Sequence, residues 1–418
     1  MFEMNRKIQF RDSVRFITKD NVTLVANTDN AESVFLSHEV VHAIIEASKE
    51  SYTFTDFLKC IEEQESCEYM NKVLNKLDYL KMFVSDETAI TSECFKITID
   101  TTDNCNLRCK HCCVAAGEHK KGADLDYNDL KKVIDSVIEV NPKLLCISGG
   151  EPLCRSDFKE MVMYIRQTFK NKMILMTNAV LITDEIAKII VENFDEVNVS
   201  LDGYDEESVS EIRGDGVFEK TVAGIKCLNK FGMTEGISLS TIITKKNQNK
   251  IKEFNELCNL LNVKPIYRNL SFIGRAEKNK NGIERPNQEK CVIDINPEEI
   301  RKIKQPIFSC QGGRTEFEID YKGNIYPCAS MMDEEFLMGN IFKIPNLKKY
   351  LESGEVRKNN GYEKFASYFP YNIPECKNCD YNLFCFSCTL AVKEKKEEGT
   401  LGKVCQYNKK AYSCYWKR

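Results

Sequence analysis

The sequence predicts an α/β protein: a parallel sheet with helices on its outer face, preceded by a small strand-and-helix module and followed by a cysteine-rich segment. Three observations carry this. Between residues about 95 and 285, β-type apolar runs alternate with helix-period runs, the pattern of parallel strands joined by helices. Short strands and then three helical patterns fill the first ninety residues. Twenty cysteines fall largely into a tight group at Cys105–Cys113 and a dense series from Cys291 to Cys414. A chain of 418 residues implies two or three domains, and the boundaries read as 1–90, 91–290 and 291–418.

Bulk properties exclude several classes. Hydrophobic content of 42% and charged content of 29% are those of a soluble globular protein. A net charge of -4 gives no electrostatic case for a nucleic-acid or membrane partner. No apolar run approaches the ~18 residues needed to span a bilayer. The opening MFEMNRKIQF lacks the apolar core of a signal peptide, so the expected location is the cytoplasm. In that reducing compartment the cysteines point to metal or catalytic roles before disulfides. Cys60, Cys67, Cys94, Cys146, Cys227 and Cys258 stand alone in apolar or helical surroundings and read as small buried hydrophobes.

In the first segment, Val14–Ile17 and Val22–Val25 flank the turn Lys19-Asp20-Asn21, and Ser33–Leu36 forms a further strand. Ser37 is a good N-cap for a helix carrying Val40, Val41, Ile44 and Ile45. Phe54, Phe57, Leu58 and Ile61 mark a second helix; Met70, Val73, Leu74, Leu77 and Leu80 mark a third. This order suggests a small winged-helix module. In the second segment the candidate strands are Lys96–Asp100, Leu144–Ser148, Met173–Thr177, Glu196–Leu201, Gly236–Thr244 and Pro265–Phe272. Helical patterns between them include Leu130, Val133, Ile134, Val137 and Ile138, and Phe254, Leu257, Leu260 and Leu261. In parallel barrels the chemistry sits at the strand C-terminal ends.

The chemistry-bearing motifs fall there. Cys105, Cys109 and Cys112, in TTDNCNLRCKHCC, are spaced C-x3-C-x2-C directly after the first strand. Three thiolates on one loop can hold three irons of a 4Fe–4S cube and leave the fourth iron open; a zinc knuckle is the bland reading. Gly149-Gly150-Glu151-Pro152 follows the second strand. Its glycines admit close backbone approach, and its carboxylate can accept from an ammonium group. Thr177-Asn178 ends the third strand. Ser200 and Asp202 end the fourth, alternate with Leu201, and so share a side. Caps and surface ion pairs are the bland readings of these polar residues.

Together these residues resemble the radical S-adenosylmethionine (radical SAM) family. The resemblance implies a (β/α)6 partial TIM barrel and a 4Fe–4S cluster on Cys105, Cys109 and Cys112, whose open iron chelates the amino and carboxylate groups of S-adenosylmethionine. It implies that Gly149, Gly150 and Glu151 meet the methionyl amine, and that Asn178, Ser200 and Asp202 suit the ribose hydroxyls and carboxylate. Arg213 would pair with that carboxylate, where a guanidinium fork fits. Ile273, in Phe272-Ile273-Gly274-Arg275-Ala276, would offer its backbone to the adenine. The family usually has Tyr or Phe before the third cysteine; here His111 can still stack on the base.

The third segment resembles the SPASM extension of radical SAM peptide-modifying enzymes. Cys310, twelve residues, Gly323, four residues and Cys328 match its opening, and Cys376-x2-Cys379-x5-Cys385 matches its central element. The next spacing is usually three residues and here is two, before Cys388. The resemblance implies two auxiliary 4Fe–4S clusters, three in all. Cys310, Cys328 and Cys388 would hold one, with Cys291 as fourth ligand or an iron left open to a substrate thiolate. Cys376, Cys379, Cys385 and Cys405 would hold the other. A zinc ribbon is the bland reading.

The first segment resembles the PqqD-like element that binds leader peptides, which would pair with a strand edge at Ser33–Leu36. The combined resemblance implies a cytoplasmic oxidoreductase that cleaves S-adenosylmethionine reductively to a 5′-deoxyadenosyl radical and crosslinks a ribosomally made precursor peptide. A cysteine thioether, as in sactipeptides and ranthipeptides, is the first expectation, and a carbon–carbon or ether crosslink the second. Formylglycine formation on a sulfatase is a third reading. A non-catalytic iron–sulfur carrier or regulator belongs to another class. A reductant such as flavodoxin or ferredoxin is implied as partner.

Overall fold

The computed structural model describes residues 5–84, 94–118, 124–286, 307–385 and 388–416. Two compact units emerge. One combines Met1–Thr91, Asp294–Gln311 and Phe365–Arg418; the other combines Ser92–Ile293 and Gly312–Lys364.

In the first unit, β1 (Val14–Lys19), β2 (Val22–Asn27) and β3 (Ser33–Ser37) form an antiparallel sheet in the order β1-β2-β3. Three helices follow: α1 (His38–Lys49), α2 (Phe54–Lys59) and α3 (Gln64–Tyr79). The Ser37 hydroxyl accepts from the Val40 N–H and the Thr53 hydroxyl from the Asp56 N–H, so each side chain satisfies an N–H that a helix start leaves unpaired. Val41, Ile44, Leu74, Leu77 and Phe83 close a core with Val25 of β2. The C-terminal stretch of this unit packs against the same sheet. The Lys19 ammonium donates to the Tyr381 hydroxyl at 3.1 Å, Arg15 lies over the Tyr371 ring, and Phe35 of β3 meets Trp416 edge-on.

The second unit holds a nine-stranded sheet. Its parallel heart is β4 (Lys96–Asp100), β5 (Leu144–Ser148), β6 (Lys172–Thr177), β7 (Glu196–Ser200), β8 (Ile237–Ile243) and β9 (Lys264–Asn269), paired in chain order. β4, β5 and β6 are buried along most of their length, and β5 and β6 are largely apolar, as strands covered on both faces must be, whereas β9 is largely exposed. Helices connect them: α4 (Tyr127–Val140), α5 (Phe158–Thr168), α6 (Asp184–Asn193), α7 (Glu206–Arg213), α8 (Val217–Lys230) and α9 (Ile251–Leu261). In α4, Leu130, Val133, Ile134 and Val137 are buried on one face, Asp126 caps the start, and Asn141 ends it in the left-handed region at φ 57°.

The sheet also grows on its other side. β10 (Glu316–Ile319) pairs parallel with β4, and β11 (Asn324–Tyr326) and β12 (Gly339–Asn340) continue antiparallel. So β4, which carries the Cys105 loop at its end, lies inside the sheet. Compactness thus groups the chain differently from its three sequence segments. Residues 312–364 join the barrel unit, and 365–418 join the N-terminal module.

Candidate active site

A cavity of about 520 Å3 opens at the carboxyl ends of the parallel strands. Cys105, Cys109 and Cys112 line one side, Gly149–Glu151 and Asn178 another, and Ser200, Asp202 and Arg213 a third. The structure therefore brings together the motif residues that the sequence places at four strand ends. Ile273 lines an adjoining cavity of about 310 Å3, which shares Cys113, Gly149 and Gly150 with the first.

The cysteine loop is held by its neighbours' backbones. Gly150 N–H donates to the Thr102 carbonyl at 2.7 Å, and Glu151 N–H to the Asn104 carbonyl at 2.9 Å. A Cβ at Gly149 or Gly150 would collide with the Thr102 or Asn104 carbonyl, and Gly149 sits at φ 133°. These glycines seat the glutamate turn on the cysteine loop. Arg275, buried, fastens the other end: it donates to the Cys109 carbonyl at 2.9 Å and the Ala116 carbonyl at 2.5 Å, and pairs with Glu118 at 2.6 Å. Its N–H reaches the Cys112 carbonyl at 2.9 Å, an approach that a Cβ on the preceding Gly274 would obstruct at Cys113. The sequence placed Arg275 in the segment Phe272–Ala276 beside the adenine but gave it no role in holding the cysteine loop.

Electrostatics prepare the same surface. Glu151 is 1% exposed, and burial pushes its carboxyl up to about 7. One oxygen accepts from the Thr177 hydroxyl at 2.7 Å and the Leu153 N–H, the other from the Asn178 N–H at 2.7 Å. A carboxylate has about four acceptor positions, so one remains for a cation. Asp202, at φ 68°, gives one oxygen to the Ile242 N–H at 2.7 Å and the other to the Arg213 Nε–H at 2.7 Å and to His111. Burial would raise its carboxyl, but Arg213 and His111 outweigh that and hold it far below the usual range. Asp202 and His111 thus satisfy each other and orient Arg213, whose free Nη1 lies 3.9 Å from Cys109 Sγ. The Asn178 amide donates to the Asn106 side chain at 2.8 Å, tying the third strand end to the loop.

The donor set fits an iron–sulfur cluster. Three thiols face one cavity. The Leu107 and Ala116 N–H groups each lie 3.4 Å from a sulfur, of Cys105 and Cys112 respectively, while Arg213 serves Cys109. Burial first, and then the charges of Glu151, Cys109 and Cys112, push Cys105 up to about 12; coordination and these donors favour the thiolate.

One pair was missed. Asp100, ending β4, and Glu318, on β10, are both 5% exposed, line the cavity and hydrogen-bond each other, with Ser148 and Thr98 as further partners. Burial first, and then the charge of Asp320, raise Asp100 to about 7; burial first, and then the charge of Asp100, raise Glu318. Beside them Cys113 is enclosed by protein yet open to the cavity. Because β10 comes more than two hundred residues after β4, no local pattern could have announced this pairing.

In the other unit, Cys376, Cys379, Cys385 and Cys405 lie within one another's electrostatic reach. Burial first, and then Cys405 and Cys379, raise Cys376 and Cys385 to about 11. The Asn408 amide donates to Cys385 Sγ at 3.2 Å. The donor chemistry suits a second cluster. Cys388 is exposed at a helix start and Cys310 is half-buried in this same unit, whereas Cys328 belongs to the barrel unit. Cys291 lies outside the described residues. Among the described residues no three His, Cys, Asp or Glu side chains close around a single ion, and no helix is long and apolar enough to cross a membrane.

Comparison with known proteins agrees with this geometry. Residues 99–260 match the radical SAM superfamily and residues 310–380 the SPASM iron–sulfur cluster-binding domain. Mycofactocin maturase MftC of Mycolicibacterium smegmatis is 28% identical over 316 residues, 71% of this chain and 78% of that protein. AdoMet-dependent heme synthase of Methanosarcina barkeri is 33% identical over 171 residues, 40% of this chain and 48% of that one. In fold the chain is similar to Streptococcus suis SuiB bound to S-adenosylmethionine, with a TM-score of 0.55 and 16% identity over 93% of this chain and 97% of that one. It is also similar to anSMEcpe with bound AdoMet, with a TM-score of 0.51 and 17% identity over 76% and 99%. The chain is therefore an enzyme in which residues 99–260 match the radical SAM superfamily and residues 310–380 the SPASM domain.

Proposed function

We propose that this enzyme matures a ribosomally made precursor peptide by joining a cysteine sulfur to a carbon of the same peptide. The observation that carries the reading is the cavity in which the three-cysteine loop, Glu151, Arg213 and the Asp100–Glu318 pair face one space. Support for a peptide substrate comes from the likeness to mycofactocin maturase, and from similarity in fold to SuiB bound to its precursor peptide SuiA. The N-terminal module adds to it. β3 is the end strand of its sheet, the position where an extended leader can pair, and this favours a winged-helix, PqqD-like role over DNA binding.

When bound, S-adenosylmethionine and its cluster supply one-electron cleavage and hydrogen-atom abstraction. Glu151 holds the methionyl ammonium, Arg213 lies beside the Cys109 ligand to receive the carboxylate, and Ser200 serves the ribose. Ile273 offers backbone to the base, while Asp202 and His111 position Arg213. Closing one S–C bond removes a hydrogen atom from carbon, a proton from the thiol and one electron. The Asp100–Glu318 pair, still able to accept a proton, takes the proton. An auxiliary iron–sulfur cluster, when bound, would supply the acceptor for that electron. Cys376, Cys379, Cys385 and Cys405 would hold one such cluster.

The test is anaerobic incubation of reconstituted enzyme with S-adenosylmethionine, dithionite and the cysteine-containing peptide encoded beside it. The expected product has lost two mass units and gained a thioether, with iron at about twelve per chain. A carbon–carbon or ether link would keep the free thiol, and formylglycine would replace it with an aldehyde. Absence of 5′-deoxyadenosine would sink the reading altogether.

Glu151 gives a pH prediction. Its ligand-free carboxyl titrates near 7, and an ammonium binds the ionised form, so affinity for S-adenosylmethionine should rise several-fold from pH 6 to 7.5. In Glu151→Gln the affinity should be weak and lose this slope, as isothermal titration would measure.

A further inference from the structure

The end of the sheet that carries β4, β10 and β11 has two unlike faces. Strand pairing sets Ile97 and Ile99, Phe317 and Ile319, and Ile325 on one face, all apolar and buried. It sets Thr98, Asp100, Glu318 and Tyr326 on the other, and these are buried too. Buried polar groups need partners. Asp100 and Glu318 have each other, with Ser148 and Thr98. Tyr326 is 7% exposed, and among the described residues its hydroxyl has no hydrogen-bond partner.

That hydroxyl opens on the cavity of about 310 Å3, which Tyr326 lines. Around it the field is negative. Asp320 lines the same cavity, and its carboxylate accepts from the Lys322 and Asn324 N–H groups at 2.8 and 2.9 Å and from the Asn324 amide at 3.0 Å. One of its four acceptor positions is left. The exposed Asp333 lines it as well, and among the described residues that carboxylate pairs with no cation. Burial first, and then Asp320, Asp333 and Glu334, push the Tyr326 phenol up to about 12, so it stays neutral and can still accept. Lys322 is the one cation among the described lining residues, and its ammonium lies over the Tyr321 ring at 5.0 Å.

We propose that this cavity receives a lysine or arginine side chain of the peptide substrate, held between the Tyr326 hydroxyl and the carboxylates of Asp320 and Asp333. The inference rests on the peptide reading and adds which neighbour the crosslinked residue must carry. A neutral side chain could satisfy Tyr326 but not the carboxylates, and an anion would be repelled. An ammonium or guanidinium serves all three. The cavity shares Asp100, Cys113, Gly149 and Gly150 with the cavity of the cysteine loop, so a cation anchored here fixes the adjoining stretch of peptide beside the reacting carbon.

The test measures kcat/KM of the full-length reconstituted enzyme for the cysteine-containing peptide encoded beside it, and for the same peptide with each Lys or Arg flanking the crosslink changed to Gln. Wild type should prefer the cationic peptide by about tenfold or more, and Tyr326→Phe with Asp333→Asn should cut that preference to about twofold or less. Asp333→Lys should instead favour a peptide with Glu at the same place. Equal use of the cationic and Gln peptides by wild type would overturn the proposal, as would a crosslink with no flanking Lys or Arg, or variants that slow both peptides equally. A loss of S-adenosylmethionine affinity in Tyr326→Phe, read by isothermal titration, would assign the cavity to the nucleoside and overturn it too. Release of 5′-deoxyadenosine with no modified peptide would instead overturn the peptide reading on which the subsite depends.

Discussion

Replacing Asp202 with Asn is expected to destabilise the barrel unit by about 3–5 kcal/mol, because it strands the buried Arg213 guanidinium without its counter-charge. Asp202 is 2% exposed and compensates Arg213 directly, with His111 as its second partner. An amide can accept from one of them but carries no charge. Cleavage of S-adenosylmethionine should fall by at least about a hundredfold, since Arg213 then loses the bond that aims it at Cys109. The double variant Asp202→Asn, Arg213→Gln separates the two effects. It should recover part of the stability, because no buried charge is left unpaired, and none of the activity. Denaturant unfolding and 5′-deoxyadenosine release measure the two quantities. A single variant as stable as the double would refute the account.

The second large effect concerns residues 1–91. If this stretch served only to bind a leader, deleting it would leave the clusters intact. Yet it forms one compact unit with Phe365–Arg418, joined by the Lys19–Tyr381 bond, the Arg15–Tyr371 contact and the Phe35–Trp416 contact. Trp416 in turn donates to the carbonyl of Asp380, next to Cys379. Deletion should therefore cost about four iron per chain, those on Cys376, Cys379, Cys385 and Cys405, while the Cys105 loop keeps its own. Iron analysis with electron paramagnetic resonance would show it. Full retention of iron would mean that residues 365–418 stand without the N-terminal module.

The parallel heart was legible because its signals are local. The strand runs at Lys96–Asp100 and Leu144–Ser148 keep the boundaries the sequence suggests, and the strand-end motifs meet in one cavity as their spacing implied. What escaped was non-local. Glu318 looks like an unremarkable acid in a short strand until β10 pairs with β4 and sets it against Asp100. The glycines of the glutamate turn were read as making room for a ligand, whereas each makes room for the neighbouring loop's carbonyls. Asp202 was expected to suit the ribose hydroxyls and carboxylate; both its oxygens also accept from protein donors, which only the fold could reveal. Nor could cysteine spacing tell which unit each thiol would join, since that depends on surfaces far apart in the chain.

The first unit is assembled from three separate stretches, whereas Ser92–Ile293 of the second is continuous. During synthesis the N-terminal sheet and helices can close their own core early, around Leu74, Leu77 and Phe83. Their outer face must wait for residues 365–418, which follow the barrel in the chain. The N-terminal module thus meets this partner only after the barrel has been made, and apolar groups such as Phe35 stay uncovered in the meantime. Iron delivery to Cys376–Cys405 then follows barrel closure, and iron-starved cells should accumulate chains with a finished barrel and protease-sensitive residues 5–84.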